Sequence, residues 1–304
     1  MHEGAILISG VGGLGCIWAE SAHARCSDLA DLLLIDADEN SFLGSSQAHC
    51  LHLDAIGDGS GSAALPGLAA HRLNEGLEAI ENLMEAAELV IIMAGLGGGT
   101  GTGAASELAR FAKSKDCLVI SIAGLPFAEQ PLRLALAEAA LPAFDAKSDV
   151  CIQVSMERLA WSSRKREEDW VTGAGWIEDL IEGLVTTLAQ VGKINLDLMD
   201  LRTIIKHTGD ATLIVATGDV NNPNDIVKMA QSSPLSNKDI SGAKGCLIQV
   251  EGGPDMTLSH LNELAESFIQ NLDTNCQIIL GARASDEMIG SLRLVALVSG
   301  INGE

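Results

Sequence analysis

The chain is 304 residues long and 47 % hydrophobic, yet only 3 % aromatic, with no tyrosine and a formal net charge of −22. That length fits about two domains, whose cores must be filled by aliphatic residues and alanine. So acidic a balance excludes nucleic acid and anionic lipid as partners, because both are held by clustered Lys and Arg.

Met1, His2, Glu3 and Gly4 bring no basic leader, and no apolar run reaches about 18 residues, so neither a signal peptide nor a membrane span is expected. The seven cysteines are scattered without C-x-x-C spacing and read as reduced, mostly buried thiols of a cytoplasmic protein. Residues 5–9 form a short apolar strand. Gly10-Val11-Gly12-Gly13-Leu14-Gly15 follows, then a helical run from Cys16 to about Arg25. The next strand, 32–35, ends at Asp36. Strand, G-x-G-x-x-G, helix, strand and acid together form the dinucleotide-binding fingerprint, so an NAD-dependent oxidoreductase is one reading. The His49-Cys50-Leu51-His52-Leu53-Asp54 stretch is rich in metal ligands. Its alternation predicts a strand that splits neighbouring side chains between two faces, and no second cluster completes a tetrahedral site. No metal is therefore assigned to it. Gly57-Asp58-Gly59-Ser60-Gly61-Ser62 is a flexible turn, and Leu73, Leu77, Ile80 and Met84 predict a helix over 73–87 with one buried stripe.

The apolar run 88–93 predicts a buried strand that stops at Gly97-Gly98-Gly99-Thr100-Gly101-Thr102-Gly103. A helix start follows at Ala104. Glycines at the handover from strand to helix let backbone N–H groups and the helix dipole meet an anion closely, with the two threonines as added hydroxyl donors. A dinucleotide fold needs one such turn for one pyrophosphate; two turns suit a triphosphate held from both sides. Both emerge from strand carboxyl ends, where open α/β sheets bind ligands. Further strands are predicted at 117–123 and 150–154. Between them lies Pro126-Phe127-Ala128-Glu129-Gln130-Pro131-Leu132-Arg133, in which Glu129 and Arg133 read as an i,i+4 surface pair. Residues 162–169 read as a charged, solvated loop. A helix is predicted over 176–191, with Trp176, Leu180, Leu184, Leu188 and Val191 on one side. Asn195, Asp197 and Asp200 follow it; two carboxylates three residues apart suit water activation, or an N-cap at Asp200 with a turn aspartate at 197. The remainder predicts a second α/β unit, with strands at 211–217, 245–250, 276–281 and 292–299 and helices at 223–231 and 258–270.

The loop 97–103 resembles the signature loop of the tubulin/FtsZ superfamily, GTP-binding proteins that polymerise; it is not a P-loop, since no G-x4-G-K-[ST] occurs. Ser232-Ser233-Pro234-Leu235 and the stretch from Asp239 to Gly245 are similar to the C-terminal domain of that family, so the likeness spans nearly the whole chain. It implies an α/β fold: a Rossmann-like GTPase domain with a parallel sheet (1–175), a central connecting helix (176–193) and a smaller α/β domain (194–304). It implies GTP or GDP with Mg²⁺, phosphates held by Gly12, Gly13, Leu14, Gly15, Cys16 and residues 97–103, and a turn at 57–62 near the terminal phosphate. Glu129 and Arg133 would reach the sugar, from a loop one residue short. Asn195, Asp197 and Asp200 would complete the GTPase site of the next subunit in a head-to-tail homopolymer serving cell division or membrane remodelling. A helix over 176–191 would span roughly 24 Å, too far for these acids to reach a γ-phosphate of their own subunit. The chain departs from the family at Ile17, Met156 and Ala174, where the family has asparagines that read ribose and base, so weak guanine selectivity is expected. It also ends at Glu304, where the family continues into a linker and a tail that engages adaptors. A nucleotide-gated scaffold without turnover is the rival from another class.

Overall fold

The computed structural model describes residues 4–45, 47–53, 65–167, 169–173, 175–236, 238–270 and 272–302. The chain divides into two compact units, Met1–Glu178 and Asp179–Glu304. The predicted turn 57–62, Asp54 and Ala174 lie outside the described residues.

In the first unit, among the described residues, six parallel strands run in the order β3-β2-β1-β4-β5-β6. They are β1 (Ile6–Val11), β2 (Asp31–Asp36), β3 (His49–His52), β4 (Leu89–Gly95), β5 (Leu118–Leu125) and β6 (Val150–Ser155). Strand β1 pairs with β2 on one side and β4 on the other, so the order of the chain reverses there. Such a reversal opens a crevice at the strand carboxyl ends. Helices cover both faces, which is why β1, β4 and β5 are continuous apolar runs and not alternating ones. Leu7, Leu33, Val90 and Val119 pack toward a core shared with helices α2 (Pro66–Gly76) and α4 (Thr100–Ser114). On the other face Trp18 of α1 (Gly12–His23) is wholly buried and lies where a Cβ on Gly124 would fall.

Several elements differ from expectation for local reasons. The helices α1 and α4 begin at Gly12 and Thr100, not at Cys16 and Ala104, so part of each glycine loop is the first helical turn. The helix expected over 73–87 starts earlier, because Pro66 supplies the preset φ of a first turn, and tightens into a 3₁₀ turn (Leu77–Ile80) before α3 (Glu81–Ala86). Its stripe survives: Leu73, Ile80 and Met84 are buried. The expected loop 162–169 is mostly helix α6 (Met156–Arg166), capped by Ser155 and stopped at Glu167 in the left-handed region (φ 56°). The helix is anchored by buried Leu159. Glu129 precedes helix α5 (Pro131–Asp145), so it forms no helical i,i+4 pair with Arg133.

In the second unit, strands β7 (Asp210–Asp219), β8 (Gly245–Gly252), β9 (Gln277–Ala284) and β10 (Ser291–Ile301) are ordered β7-β10-β8-β9. Strand β10 is antiparallel to both neighbours, and β8 and β9 are parallel. One face packs Leu294, Ala296 and Val298 against helices α9 (Pro223–Gln231) and α10 (Leu258–Ile269). The other face of β10 meets α7 (Trp176–Ala189), where Gly183 leaves room for the Val295 side chain. Helix α7 ends before Val191, which is exposed and lies off its buried side. No helix of the described residues is long and apolar enough to cross a membrane.

An ion network sits on that same face. Glu251 accepts from Arg283 at 3.0 Å and from Arg293 at 3.4 Å, and Arg293 donates to Glu182 at 3.2 Å. The Arg283, Arg293 and Glu251 side chains are only 16 %, 12 % and 10 % exposed. Removing one member of a buried pair strands the other charge, at about 3–5 kcal/mol. Glu251→Ala is therefore expected to lower the stability of the second unit by about that amount, read as a shifted urea midpoint, while Arg283→Lys shifts it less.

Candidate nucleotide site

The crevice beside β1 is a cavity of about 380 Å³, within the range of small-ligand pockets. Its floor is made of two helix starts. Gly12, Gly13 and Leu14 begin α1; Gly98 to Gly101 lead into α4. Neither start has a side-chain cap: the N-cap positions are Val11 and Gly99, and no acidic residue stands in either first turn. The first N–H groups of each helix thus lack an intrahelical partner and face an opening, the arrangement that binds anions. Arg133, in the first turn of α5, is the one Lys or Arg among the described lining residues. At the β5–β6 side the lining turns apolar. Phe127 and Trp170 meet edge to face at 5.2 Å between centroids, with Met156 beside them. At the opposite, β2 side stands Asp36.

The glycines divide into three kinds. Gly12 and Gly97 hold positive φ (74° and 90°), which only glycine adopts cheaply. Gly15, Gly101 and Gly103 are packing positions: a Cβ would run into the carbonyl oxygens of Met93, Gly95 and Pro66, respectively. Gly98 is open, with nothing within 4 Å of where its Cβ would stand.

Residues 5–162 match the family profile described as Tubulin/FtsZ family, GTPase domain, and residues 209–302 match FtsZ family, C-terminal domain. The chain belongs to the tubulin/FtsZ family. Among its relatives, it is 31 % identical over 317 residues to cell division protein FtsZ 2 of Haloferax volcanii, covering 97 % of this chain and 75 % of that protein. It is 29 % identical to FtsZ 2 of Halobacterium salinarum, covering 97 % and 76 %. Among solved structures, an empty FtsZ dimer from M. jannaschii superposes with a TM-score of 0.85 at 25 % identity, covering 99 % of this chain and 89 % of that one.

The residues expected to bind nucleotide, through its phosphates or, for Glu129 and Arg133, its sugar, fall into two sets. Gly12, Gly13, Leu14, Gly98, Gly99, Thr100, Gly101 and Arg133 line the cavity. Gly15, Cys16, Gly97, Thr102, Gly103 and Glu129 are not among its lining residues. Thr102 is not a donor to the opening: it is 4 % exposed, and its hydroxyl accepts from the Gly97 N–H at 2.9 Å, tying the loop to the helix. The Cys16 thiol donates to the Gly10 carbonyl, and burial, then the nearby Asp36 charge, push its pKa far above the ordinary thiol range. Ile17 is 38 % exposed and does not line the cavity; Met156 does. Trp170 was missed, although in a chain with only four tryptophans one beside a charge run is a usable signal.

In the FtsZ-like second unit, Asp197 and not Asp200 is the N-cap of α8 (Leu198–Ile205). Its Oδ1 accepts from the Met199 and Asp200 N–H groups, and Asp200 Oδ2 accepts from the Asp197 N–H at 3.0 Å. This is a reciprocal capping box. Asn195 Oδ1 accepts from the Gly192 N–H at 2.6 Å, and Ile194 bridges to Ala282 of β9. All three side chains are thus held by short hydrogen bonds to backbone. Each carboxylate keeps one oxygen without a donor among the described residues.

For a divalent cation, among the described residues no group of three His, Cys, Asp or Glu is assembled. Mg²⁺ does not require one, since it is commonly held by one or two carboxylates together with substrate phosphates. Asp36 is the carboxylate of the cavity lining, so the donor set fits an ion shared with a nucleotide and not a protein cage.

The glycine classes separate binding from folding. Gly98→Val is expected to keep the wild-type melting temperature and lose nucleotide, whereas Gly101→Val loses at least about 2 kcal/mol of stability through overpacking. Thermal denaturation and the nucleotide content of the purified proteins check both.

Proposed function

We propose that this chain binds GTP and GDP in the cavity of its first unit, assembles head to tail, and hydrolyses GTP at the contact between subunits as part of a cell-division cytoskeleton. The observation that carries the reading is the pair of uncapped helix starts on the floor of one cavity, with a cation on its wall and an aromatic pair at one end. The N–H groups of Gly12, Gly13 and 98–101 hold phosphate oxygens, and Arg133 adds a positive charge. Phe127 and Trp170 enclose the base, since aromatic faces stack on it. Bound Mg²⁺ neutralises charge on the phosphates. Asn195, Asp197 and Asp200 of the adjacent subunit position the attacking water, which amounts to orientation and electrostatic assistance with little covalent chemistry. The capping box supports this role by fixing both carboxylates in advance. Division-protein relatives support the cellular task, and the dimeric M. jannaschii structure supports self-association.

Completion of the site by a neighbour makes activity depend on assembly. GTPase rate per subunit is expected to rise with protein concentration. Asn caps a helix as well as Asp does, so Asp197→Asn and Asp200→Asn keep the fold and the nucleotide while removing charge. Both should abolish phosphate release and poison wild-type protein in mixtures. A rate that stays flat with dilution, or survives in the double variant, would overturn completion of the site by a neighbour, whereas nucleotide binding and assembly with no phosphate release in wild type would favour the non-hydrolysing scaffold.

Base selectivity is expected to be modest. Met156 presents a thioether where a base edge needs hydrogen-bond partners, and such a partner decides discrimination. Competition between GTP and ATP should give a preference for guanine below about 10⁴-fold; a larger value would show that other groups read the base.

A further inference from the structure

A second cavity of the first unit, of about 320 Å³, shares no lining residue with the nucleotide cavity. It is walled by the last turn of α1, by Leu32 at the start of β2, and by the segment that leads into β3. The nucleotide cavity is reached from the other end of β2, at Asp36. The polar side chains of the second cavity are Glu20, His23, Ser27, Ser45 and Gln47. The Glu20 Oε1 accepts from the Ser45 hydroxyl, which ties the segment before β3 to α1. The other oxygen, Oε2, has no donor among the described residues, and no cation pairs with the carboxylate there. Burial pushes the Glu20 carboxyl up from its ordinary range. Glu20 also stands in the last turn of α1, where the helix dipole is already negative and favours a cation.

His23 lies three residues on, so it shares a face of α1 with Glu20. It is 6 % exposed, and its Nε2–H donates to the Ala30 carbonyl at 2.9 Å. In the neutral ring that bond leaves Nδ1 as an acceptor, and no donor meets it among the described residues. A buried acceptor without a donor is costly. The cavity thus offers one uncompensated negative charge and a nitrogen lone pair beside it. Hard metal cations take oxygen ligands, and among the described residues no group of three His, Cys, Asp or Glu is assembled for a softer one. A primary ammonium group meets both demands. It carries one positive charge and three N–H donors. Two go to Glu20 Oε2 and His23 Nδ1. The third is left for the side-chain oxygen of Ser27 or Gln47, neither of which makes a side-chain hydrogen bond among the described residues. Leu32 supplies an apolar wall for the attached carbons.

We propose that this second cavity binds a small aliphatic primary amine in its ammonium form, through the Glu20 carboxylate and His23 Nδ1. The site is separate from the nucleotide reading and stands or falls without it. Because Ser45 is held by the same carboxylate, an occupant also fastens the segment before β3 against α1.

The test is calorimetric titration of the whole chain with butylammonium chloride, beside potassium chloride and tetramethylammonium chloride at the same ionic strength. Tetramethylammonium carries the charge but no N–H donor, so it separates hydrogen bonding from attraction to an acidic protein. Wild type should bind butylammonium saturably, with one site per chain, and show no saturable binding of the other two cations. Glu20→Gln removes the charge and keeps an oxygen for the Ser45 hydroxyl. His23→Gln removes Nδ1 and keeps an amide N–H that reaches toward the Ala30 carbonyl. Each should weaken butylammonium by about tenfold or more, as loss of a hydrogen bond to a charged group does. A melting temperature equal to that of wild type without amine checks each fold, and Glu20→Gln carries the test if His23→Gln is unstable. Absence of saturable butylammonium binding to wild type overturns the proposal. So does equal binding of tetramethylammonium or potassium, which would reduce the effect to charge alone. Butylammonium binding that survives unchanged in Glu20→Gln overturns it as well, since the amine would then sit elsewhere.

Discussion

The first unit depends on a contact between two stretches of bare backbone. Gly12, at the start of α1, sits so close to the start of α4 that a Cβ on it would stand 2.9 Å from the Gly101 nitrogen. Gly101 in turn abuts the Gly95 and Val11 carbonyls, and Gly15 abuts Met93. Two strand-to-helix turns from neighbouring strands are thereby pressed together at the point where the strand order reverses. Glycine costs conformational entropy at every such position. That cost is offset by burial of the continuous apolar strands behind it, where Ile8, Leu34, Ile91 and Ile120 are essentially inaccessible to solvent.

The same compression creates the site. Helices ordinarily spend a Ser, Asp or Thr on capping their first N–H groups, and the second unit does so at Asp197 and Thr257. The helices α1 and α4 do not: their N-cap positions hold Val11 and Gly99, neither of which has a side-chain acceptor. Their orphan donors are left pointing at a cavity. Absence of caps, which lowers intrinsic helix stability, is therefore coupled to anion affinity.

In the second unit the same side chains carry structural work and proposed chemistry together. A carboxylate has two oxygens and several lone pairs. Asp197 and Asp200 use one oxygen each for the capping box and leave one each uncommitted. Hydrogen bonds to backbone restrict their rotamers, which is what a group that orients water needs. Ionic organisation elsewhere follows another logic: Glu251, Arg283 and Arg293 are drawn together on one sheet face where single charges would be costly.

Much of this was legible in residue order alone. Apolar runs such as 88–93 read as buried strands because a parallel sheet is covered on both sides, and the paired glycine turns mark the crevice. The helix expected at 223–231 is α9, which Pro223 opens. Local signals failed where a choice is made by distant partners. Residues 162–166 read as a solvated loop, yet they continue the helix whose earlier turn buries Leu159. Nothing in the loop 97–103 tells Gly98, which faces open space, from Gly101 and Gly103, which face carbonyls brought from residues 95 and 66. Thr100 and Thr102 alternate in sequence, yet one lines the cavity and the other turns inward to Gly97. Residue order alone sets the strand-turn-helix grammar and the chemistry available at each turn, because these follow from backbone sterics and near-neighbour hydrogen bonds. Which glycine faces open space and which faces packed backbone, and that Asp36, Phe127 and Trp170 share one cavity, is settled by the folded chain, because those facts depend on strand order and close packing between residues far apart in sequence.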